Sequence, residues 1–223
     1  MSRSAQRRPG EPPSYTRAER IADAVLHVTG VTAAAIAAPI LIGLAVSWHS
    51  GDAAVQAATV VYAVCLVAMF AASAGYHLLR AGPPWRTLLR RLDHAAIYAK
   101  IAGTYTPFTV LLGGEPAVLI LAGMWSAAGL GILLRLVSGD RLEWLMLLLY
   151  LAMGWAVVVV GGPIVAEMST AALVLLLVGG GLYTVGVGFH LWRSLPFQNA
   201  IWHGFVLAAS FVFYAAVIVE VVR

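Results

Sequence analysis

Two histidines and one aspartate, His77, Asp93 and His203, are the residues of this sequence best suited to chemistry. They lie far apart along the chain, within long apolar segments or at their edges. Imidazoles from different helices can supply ligands for Zn²⁺, and a catalytic zinc site keeps one position open for water. A neighbouring carboxylate could hold that water or act as a general base, and Zn²⁺ lowers the pKa of such a water to about 7. Because ionisable groups are costly at membrane depth, their convergence would indicate a functional site.

The composition indicates a membrane protein. Hydrophobic residues make up 61% of the 223 residues and charged residues only 11%, whereas a soluble domain carries about 25% charged residues. The single cysteine, Cys65, excludes an intramolecular disulfide framework and a thiolate metal cluster. The net charge of +4 does not indicate a nucleic-acid partner, because the basic residues follow a membrane pattern. We therefore expect membrane lipids as partners and no nucleic acid.

Seven apolar segments of about 20 residues predict an all-α, polytopic seven-transmembrane helix bundle. The predicted spans are 24–46, 54–78, 92–112, 117–136, 142–161, 170–190 and 200–222. Residues 1–20 are polar and arginine-rich and are predicted to form a disordered cytoplasmic tail, so residues 21–223 form the membrane domain. No signal peptide is expected, since the first apolar segment is itself as long as a span.

The arginines orient the predicted bundle. They occupy the amino-terminal segment and every second connection: Arg3, Arg7, Arg8, Arg17, Arg20, Arg80, Arg86, Arg90, Arg91, Arg135, Arg141 and Arg193. The alternate connections, around Gly51, Gly113 and Gly162, carry no lysine or arginine. By the positive-inside rule the amino terminus lies in the cytoplasm and the carboxyl terminus outside.

This orientation brings the chemical residues to the cytoplasmic ends of the spans. Ser73 and His77 are four residues apart and share a helix face, as do Asn199 and His203. Five of the six histidines lie on this side, which favours a shared polar site. Other interpretations stay open: Asp93 could cap a helix amino terminus, and His77 and His203 could be polar contacts between helices.

Three further polar residues need an interpretation. Asp23 and His27 lie at the start of the first span. His27 could form an interhelical hydrogen bond, or it could hydrogen-bond to a metal ligand without binding the metal itself. Lys100 follows Asp93 by seven residues, on the same face and two turns deeper. A lysine at that depth should face the bundle interior. It could bind an acidic headgroup or a fatty-acid carboxylate, or it could be a structural partner.

Several motifs in this sequence resemble the bacterial hemolysin III family. They are Ser73-Ala-Gly-Tyr-His77, Arg91-Leu-Asp93-His94-Ala-Ala-Ile-Tyr98, Ile101-Ala-Gly-Thr-Tyr-Thr-Pro-Phe108 and Ala200-Ile-Trp-His203-Gly-Phe-Val-Leu207. The segment from Glu19 through Asp23 to His27 looks like the family's first-span signature, with aspartate where asparagine is usual. The family belongs with the progestin and adipoQ receptors and is similar to the alkaline ceramidases. The resemblance covers Glu19 to the carboxyl terminus and implies a protein of the bacterial inner (plasma) membrane.

The resemblance also implies a zinc site. In the larger group a serine and a histidine of span two, an aspartate of span three and an H-x-x-x-H pair of span seven build it. Carried over, His77 and His203 are metal ligands, and Asp93 and Ser73 are catalytic. Asn199 occupies the first position of the H-x-x-x-H pair, and its neutral amide oxygen is a poor zinc ligand. The expected three-histidine set is thus reduced to two in this sequence.

Three functions are compatible with these residues. The wider superfamily implies a zinc-dependent hydrolase that cleaves an amide or ester of a membrane lipid. The Asn199 substitution favours a non-enzymatic lipid-sensing or membrane-homeostasis protein with a degenerate metal site. The family name suggests a pore-forming cytolysin, although charged residues in the predicted spans are few and cluster at one end.

Overall fold

The computed structural model describes residues 15–139 and 141–223, which form a bundle of helices. The helices are α1 Arg17–Trp48, α2 Ala53–Leu78, α3 Pro83–Leu112, α4 Gly114–Ser138, α5 Glu143–Val160, α6 Gly162–Glu167, α7 Thr170–Leu191 and α8 Gln198–Val221. Most of the predicted tail, residues 1–20, lies outside the described residues, and α1 already begins at Arg17.

Five described helices are long and apolar enough to cross a membrane by length and composition: α1, α2, α4, α7 and α8. Two of the seven predicted spans fall on helices that do not meet both criteria. The apolar part of α5 is shorter, and α3 carries arginines along its first turns together with Asp93 and Lys100. The protein is thus an all-helical, polytopic membrane protein, while the count of seven and the orientation of the termini stay predictions.

Helix α3 begins nine residues before the predicted span, at Pro83 rather than Leu92. Gly82-Pro83-Pro84 lies between the predicted spans 54–78 and 92–112, and its prolines occupy the first turn of α3. A proline is well suited to this position, because its fixed φ matches the helix and the first N–H groups have no intrahelical acceptor. Asp93 therefore lies inside the helix, which excludes the interpretation that it caps the amino terminus.

Helix α3 is the central element of the bundle and packs against α2, α4, α5, α6 and α8. All of its residues from Ala102 to Thr109 are buried. Two tyrosines seven residues apart connect it to α5: the Tyr98 hydroxyl donates to the Met146 carbonyl, at 2.7 Å, and the Tyr105 hydroxyl donates to the Met153 carbonyl, at 3.0 Å. Such interhelical hydrogen bonds satisfy polar groups that lipid cannot satisfy.

Small residues allow the helices of the bundle to approach closely. A Cβ atom added to Gly103 of α3 would lie 2.8 Å from the Cβ of Cys65 in α2, closer than real Cβ atoms come. A Cβ added to Gly179 of α7 would lie 2.8 Å from the Phe213 ring of α8. Small residues at such positions are typical of helix interfaces in membranes.

Candidate metal centre

Four ionisable side chains from three helices meet inside the bundle. They are Asp23 and His27 of α1, His77 of α2 and His203 of α8, and one potential ligand atom of each lies within 4.8 Å of the others. We call these four residues the histidine–aspartate cluster. Asp23 and His27 are four residues apart and so share one face of α1. The packing of α1 against both α2 and α8 brings that face to the other two histidines.

The Asp23 carboxylate bridges two of the histidines. Its Oδ2 atom lies 3.0 Å from Nδ1 of His77, and its Oδ1 atom lies 2.6 Å from Nδ1 of His203. When Nδ1 carries the proton and donates it to a carboxylate, Nε2 keeps a free lone pair. Carboxylates orient metal-binding histidines in this way and make the imidazole a better ligand. Asp23 therefore fixes the orientation of both rings.

His27 completes a triangle of imidazoles. Its ring centroid lies 4.5 Å from that of His77 and 4.3 Å from that of His203, and the His77 and His203 centroids are 4.5 Å apart. His27 is only 4% exposed. Its Nε2 atom is buried and has no hydrogen-bond partner among the described residues. Since a buried polar atom without a partner is costly, this nitrogen is suited to binding a ligand.

The other carboxylate of the site lies on α3. The Oδ2 atom of Asp93 is 3.9 Å from Nε2 of His77, on the side of that ring opposite to Asp23. The Ser73 side chain, one turn before His77 on α2, lies beside the Asp93 carboxylate. The structure thus brings Ser73 and Asp93 next to the cluster, and the catalytic roles that the sequence suggests for them stay predictions.

Asn199 and Lys100 face the same interior as the cluster. Both side chains line the cavity described below, and the cluster forms its three-histidine set with His27 and without Asn199. The Lys100 ammonium lies 4.4 Å from the centroid of the Phe213 ring and 5.3 Å from that of Tyr183. The expectation that Lys100 faces the bundle interior is confirmed.

A cavity of about 1480 Å³ opens beside the cluster, and residues of α1, α2, α3, α5, α7 and α8 form most of its wall. Asp93, Ile97, Lys100, Ile101 and Thr104 form one stripe of α3 along it. Arginines from several connections and helix ends also line it: Arg20, Arg86, Arg90, Arg135, Arg141 and Arg193. The cavity is larger than the pockets of about 300–1,000 Å³ that hold most small molecules.

The donor set of the cluster fits a transition-metal ion. Three imidazoles and a carboxylate suit zinc, copper, iron or nickel better than magnesium or calcium, which prefer oxygen ligands. The buried Nε2 of His27, without a hydrogen-bond partner in the described part of the chain, fits the same interpretation. The separation of the ligand atoms, up to 4.8 Å, is wider than a tetrahedral zinc site requires, so the side chains would close around an ion.

Comparison with known proteins gives the family. The chain matches the haemolysin-III-related family over residues 16–214. The chain belongs to this family. It is 38% identical to hemolysin-3 of Bacillus cereus over 201 residues, 90% of each chain. It is 35% identical to the hemolysin-3 homolog of Bacillus subtilis over 212 residues, 94% of this chain and 97% of that one.

A more distant relative connects the family to animal proteins. The human monocyte to macrophage differentiation factor is 28% identical over 197 residues, 83% of this chain and 80% of its own. The match confirms the resemblance to the progestin and adipoQ receptor superfamily. The match to the haemolysin-III-related family starts at Thr16, so it includes the α1 segment that carries Asp23 and His27.

The sequence interpretation did not predict that α1 contributes two residues, Asp23 and His27, to the cluster. Asp23 and His27 were recognised as a family signature at the start of the first span, but the three-histidine set was thought to be reduced to two. The available signal was the spacing of four residues, which puts both side chains on one helix face. It could not show that this face meets α2 and α8.

Proposed function

We propose that this member of the haemolysin-III-related family is a zinc-dependent hydrolase that cleaves an amide or ester bond of a membrane lipid. The observation that supports the proposal is the triangle of three imidazoles, two of them bound by Asp23, beside a large cavity. A buried metal centre next to a cavity that can hold an acyl chain is the arrangement that such a reaction needs.

The residues would divide the chemistry as follows. His27, His77 and His203 would hold the ion through imidazole nitrogens, and Asp23 would orient two of them or contribute an oxygen. The metal would supply Lewis acidity and make a nucleophile available from water at neutral pH. Asp93 would accept the proton of the attacking water at its carboxylate and pass it to the leaving nitrogen or oxygen as the acyl C–N or C–O bond breaks. Ser73 would hold the Asp93 carboxylate or donate to the substrate carbonyl oxygen.

The proposed setting is a bundle of seven spans in the bacterial plasma membrane, with the site at the cytoplasmic leaflet. The arginines that line the cavity support this orientation, because basic residues are retained on the cytoplasmic side. Exposed tryptophans, Trp85, Trp144 and Trp192, lie in or next to the same connections. Tryptophan favours the membrane–water interface, so the mouth would open at headgroup level, where lipid substrates arrive.

The test is hydrolysis by the purified protein in lipid nanodiscs. Two substrates carry the same fluorescent acyl chain, one as an amide of a sphingoid base and the other as an ester of diacylglycerol. We expect release of the fluorescent acid from one of them, loss of release after dialysis against EDTA, and recovery when Zn²⁺ is added.

Substitution then tests the assigned roles. Asp93→Asn should lower the rate by about 10²-fold or more, the usual contribution of a general base, while the zinc content stays unchanged. The matched control is His49→Ala, since His49 lies at the far end of α1 and contacts the Val221 carbonyl. If neither lipid is cleaved by the zinc-loaded wild type, the hydrolase proposal is wrong.

The same measurements separate the hydrolase from the lipid-sensing alternative. A protein that binds one zinc ion through the cluster and releases no acid would be a sensor with an intact metal centre. In that case Asp93→Asn would change neither the zinc content of the purified protein nor the release of acid, which would already be absent from wild type.

A further inference from the structure

Lys100 is a buried ionisable side chain that the proposed reaction does not use. It is 3% exposed and belongs to the central helix α3. The strongly buried acidic groups of the described residues have polar partners: Asp93 lies beside His77, and Glu220 accepts two hydrogen bonds from Ser169. No carboxylate among the described residues forms an ion pair with the Lys100 ammonium. A buried charge normally has a partner of opposite charge.

Two aromatic rings and the cavity surround the Lys100 ammonium. The Tyr183 and Phe213 rings lie at 5.3 and 4.4 Å from its Nζ atom, so they stabilise a positive charge on one side. Lys100 itself lines the cavity, so a ligand can approach the ammonium from there. Two aromatic rings replace only part of the hydration that the ammonium loses, and a negative charge in the cavity would supply the remainder.

The position of Lys100 separates it from the metal centre. It follows Asp93 by seven residues of continuous helix, which corresponds to roughly 10 Å along the axis. Lys100 and Asp93 therefore lie at different levels of the same cavity wall. The cavity wall around it is formed by apolar and aromatic side chains, including Ile97, Ile101, Leu151 and Trp155. These residues are suited to a hydrocarbon chain.

We propose that the Lys100 ammonium binds the carboxylate of a long-chain lipid acid within the cavity, with the hydrocarbon chain along the apolar wall. One ammonium matches one negative charge, whereas a phosphate group would call for several donors. The proposal goes beyond the proposed hydrolysis, because it requires neither a metal nor bond cleavage. The acid could come from the bilayer or from a lipid hydrolysed in the same cavity.

The experiment compares an acid with its alcohol in metal-free protein. Binding of radiolabelled hexadecanoate and hexadecanol to the EDTA-treated full chain is measured in detergent at pH 8. We expect the wild type to prefer the acid by about tenfold or more, since hydrogen bonds to charged groups are stronger than neutral ones. Lys100→Met should bind both ligands equally and keep its affinity for hexadecanol, and Lys100→Arg should keep most of the preference.

Matched controls make the result decisive. Thr109→Val changes a buried threonine of the same helix that is not part of the cavity wall, without changing a charge, and should keep the preference for the acid. If Lys100→Met does not fold, Lys100→Gln provides a neutral side chain that can still form hydrogen bonds. An unchanged preference in the neutral variant, or no preference in the wild type, would overturn the proposal.

The source of the acid and the hydrolase proposal are tested separately. The lipid acid that co-purifies with wild type should be absent from Lys100→Met. If it is also absent from His77→Ala, while added hexadecanoate still binds to that variant, the acid comes from hydrolysis at the cluster. If His77→Ala retains it, the bilayer is the source. Failure of hydrolysis would therefore leave the Lys100 site intact.

Discussion

At the scale of single residues, His27 decides how many imidazoles the centre has. Asn199 removes the histidine expected one turn before His203, and His27 fills the third corner from another helix. The α1 residues are therefore part of the site itself rather than its support. The carboxylate of Asp23 binds both His77 and His203. Hydrogen bonds to a carboxylate are stronger than those to a neutral amide, which an asparagine at this position would offer.

Removal of His27 should cost metal affinity. We expect His27→Ala to lower the zinc affinity by more than about 100-fold, beyond the roughly 10- to 100-fold that is typical of lost outer-shell partners. Competition with a chromogenic chelator measures this in purified protein. His49→Ala is the control and should bind zinc like wild type. Adding Asn199→His to His27→Ala should restore part of the affinity; a His27→Ala protein with unchanged affinity would exclude His27 as a ligand.

At the scale of the helices, the hydrophobic segments predicted which helices exist better than where each helix begins and ends. The predicted spans 170–190 and 142–161 differ from α7 and α5 by one residue at each end or less. Helix α3 is nine residues longer than predicted, because the arginines that end an apolar segment do not end a helix. The short helix α6 was missed, since Gly161-Gly162-Pro163 was interpreted as a break and Pro163 instead lies in its first turn.

The close contact of α2 and α3 gives a prediction about stability. Gly103→Ala would bring a methyl group to 2.8 Å from Cβ and 2.9 Å from Sγ of Cys65, so the helices must separate. Overpacking of this kind costs about 1–3 kcal/mol and should lower the melting temperature in detergent by several degrees. Gly123→Ala of α4 is the matched control, because its added methyl group meets nothing within 4 Å.

A second substitution tests the cause. Cys65→Gly removes the side chain that the new methyl group would contact. The Gly103→Ala and Cys65→Gly changes should therefore be less destabilising together than the sum of the two alone, as expected for residues in direct contact. Additive melting-temperature changes would mean that Gly103 is needed for a reason other than this approach.

At the scale of the whole molecule, the sequence predicted which end of the bundle carries the chemistry but not its full composition. Charge placement brought His77, Asp93 and His203 to one end, and the structure puts the three side chains around one position there. The pairing of α1 with α8 could not be derived in the same way. It depends on contacts between segments about 180 residues apart, such as the Phe197 N–H that donates to Glu19 Oε1 at 2.9 Å. The cavity depends on these contacts, because residues of both α1 and α8 line it.

The orientation of the bundle provides the last prediction. If α3 and α5 cross the membrane together with the five helices of clear length and hydropathy, the chain crosses seven times and its ends lie on opposite sides. Alkaline phosphatase fused after Arg223 should then be active, and green fluorescent protein fused there should be dark. The same two reporters fused after Leu195, in the arginine-bearing α7–α8 connection, should give the reverse result and serve as the matched control.

A third fusion, after Gly113, tests whether α3 crosses the membrane. It is needed because a bundle of five or six spans that keeps α8 would still put the Arg223 and Leu195 fusions on opposite sides. Phosphatase activity there requires that α3 crosses, because this connection should lie outside only when α1, α2 and α3 all span the bilayer from a cytoplasmic amino terminus.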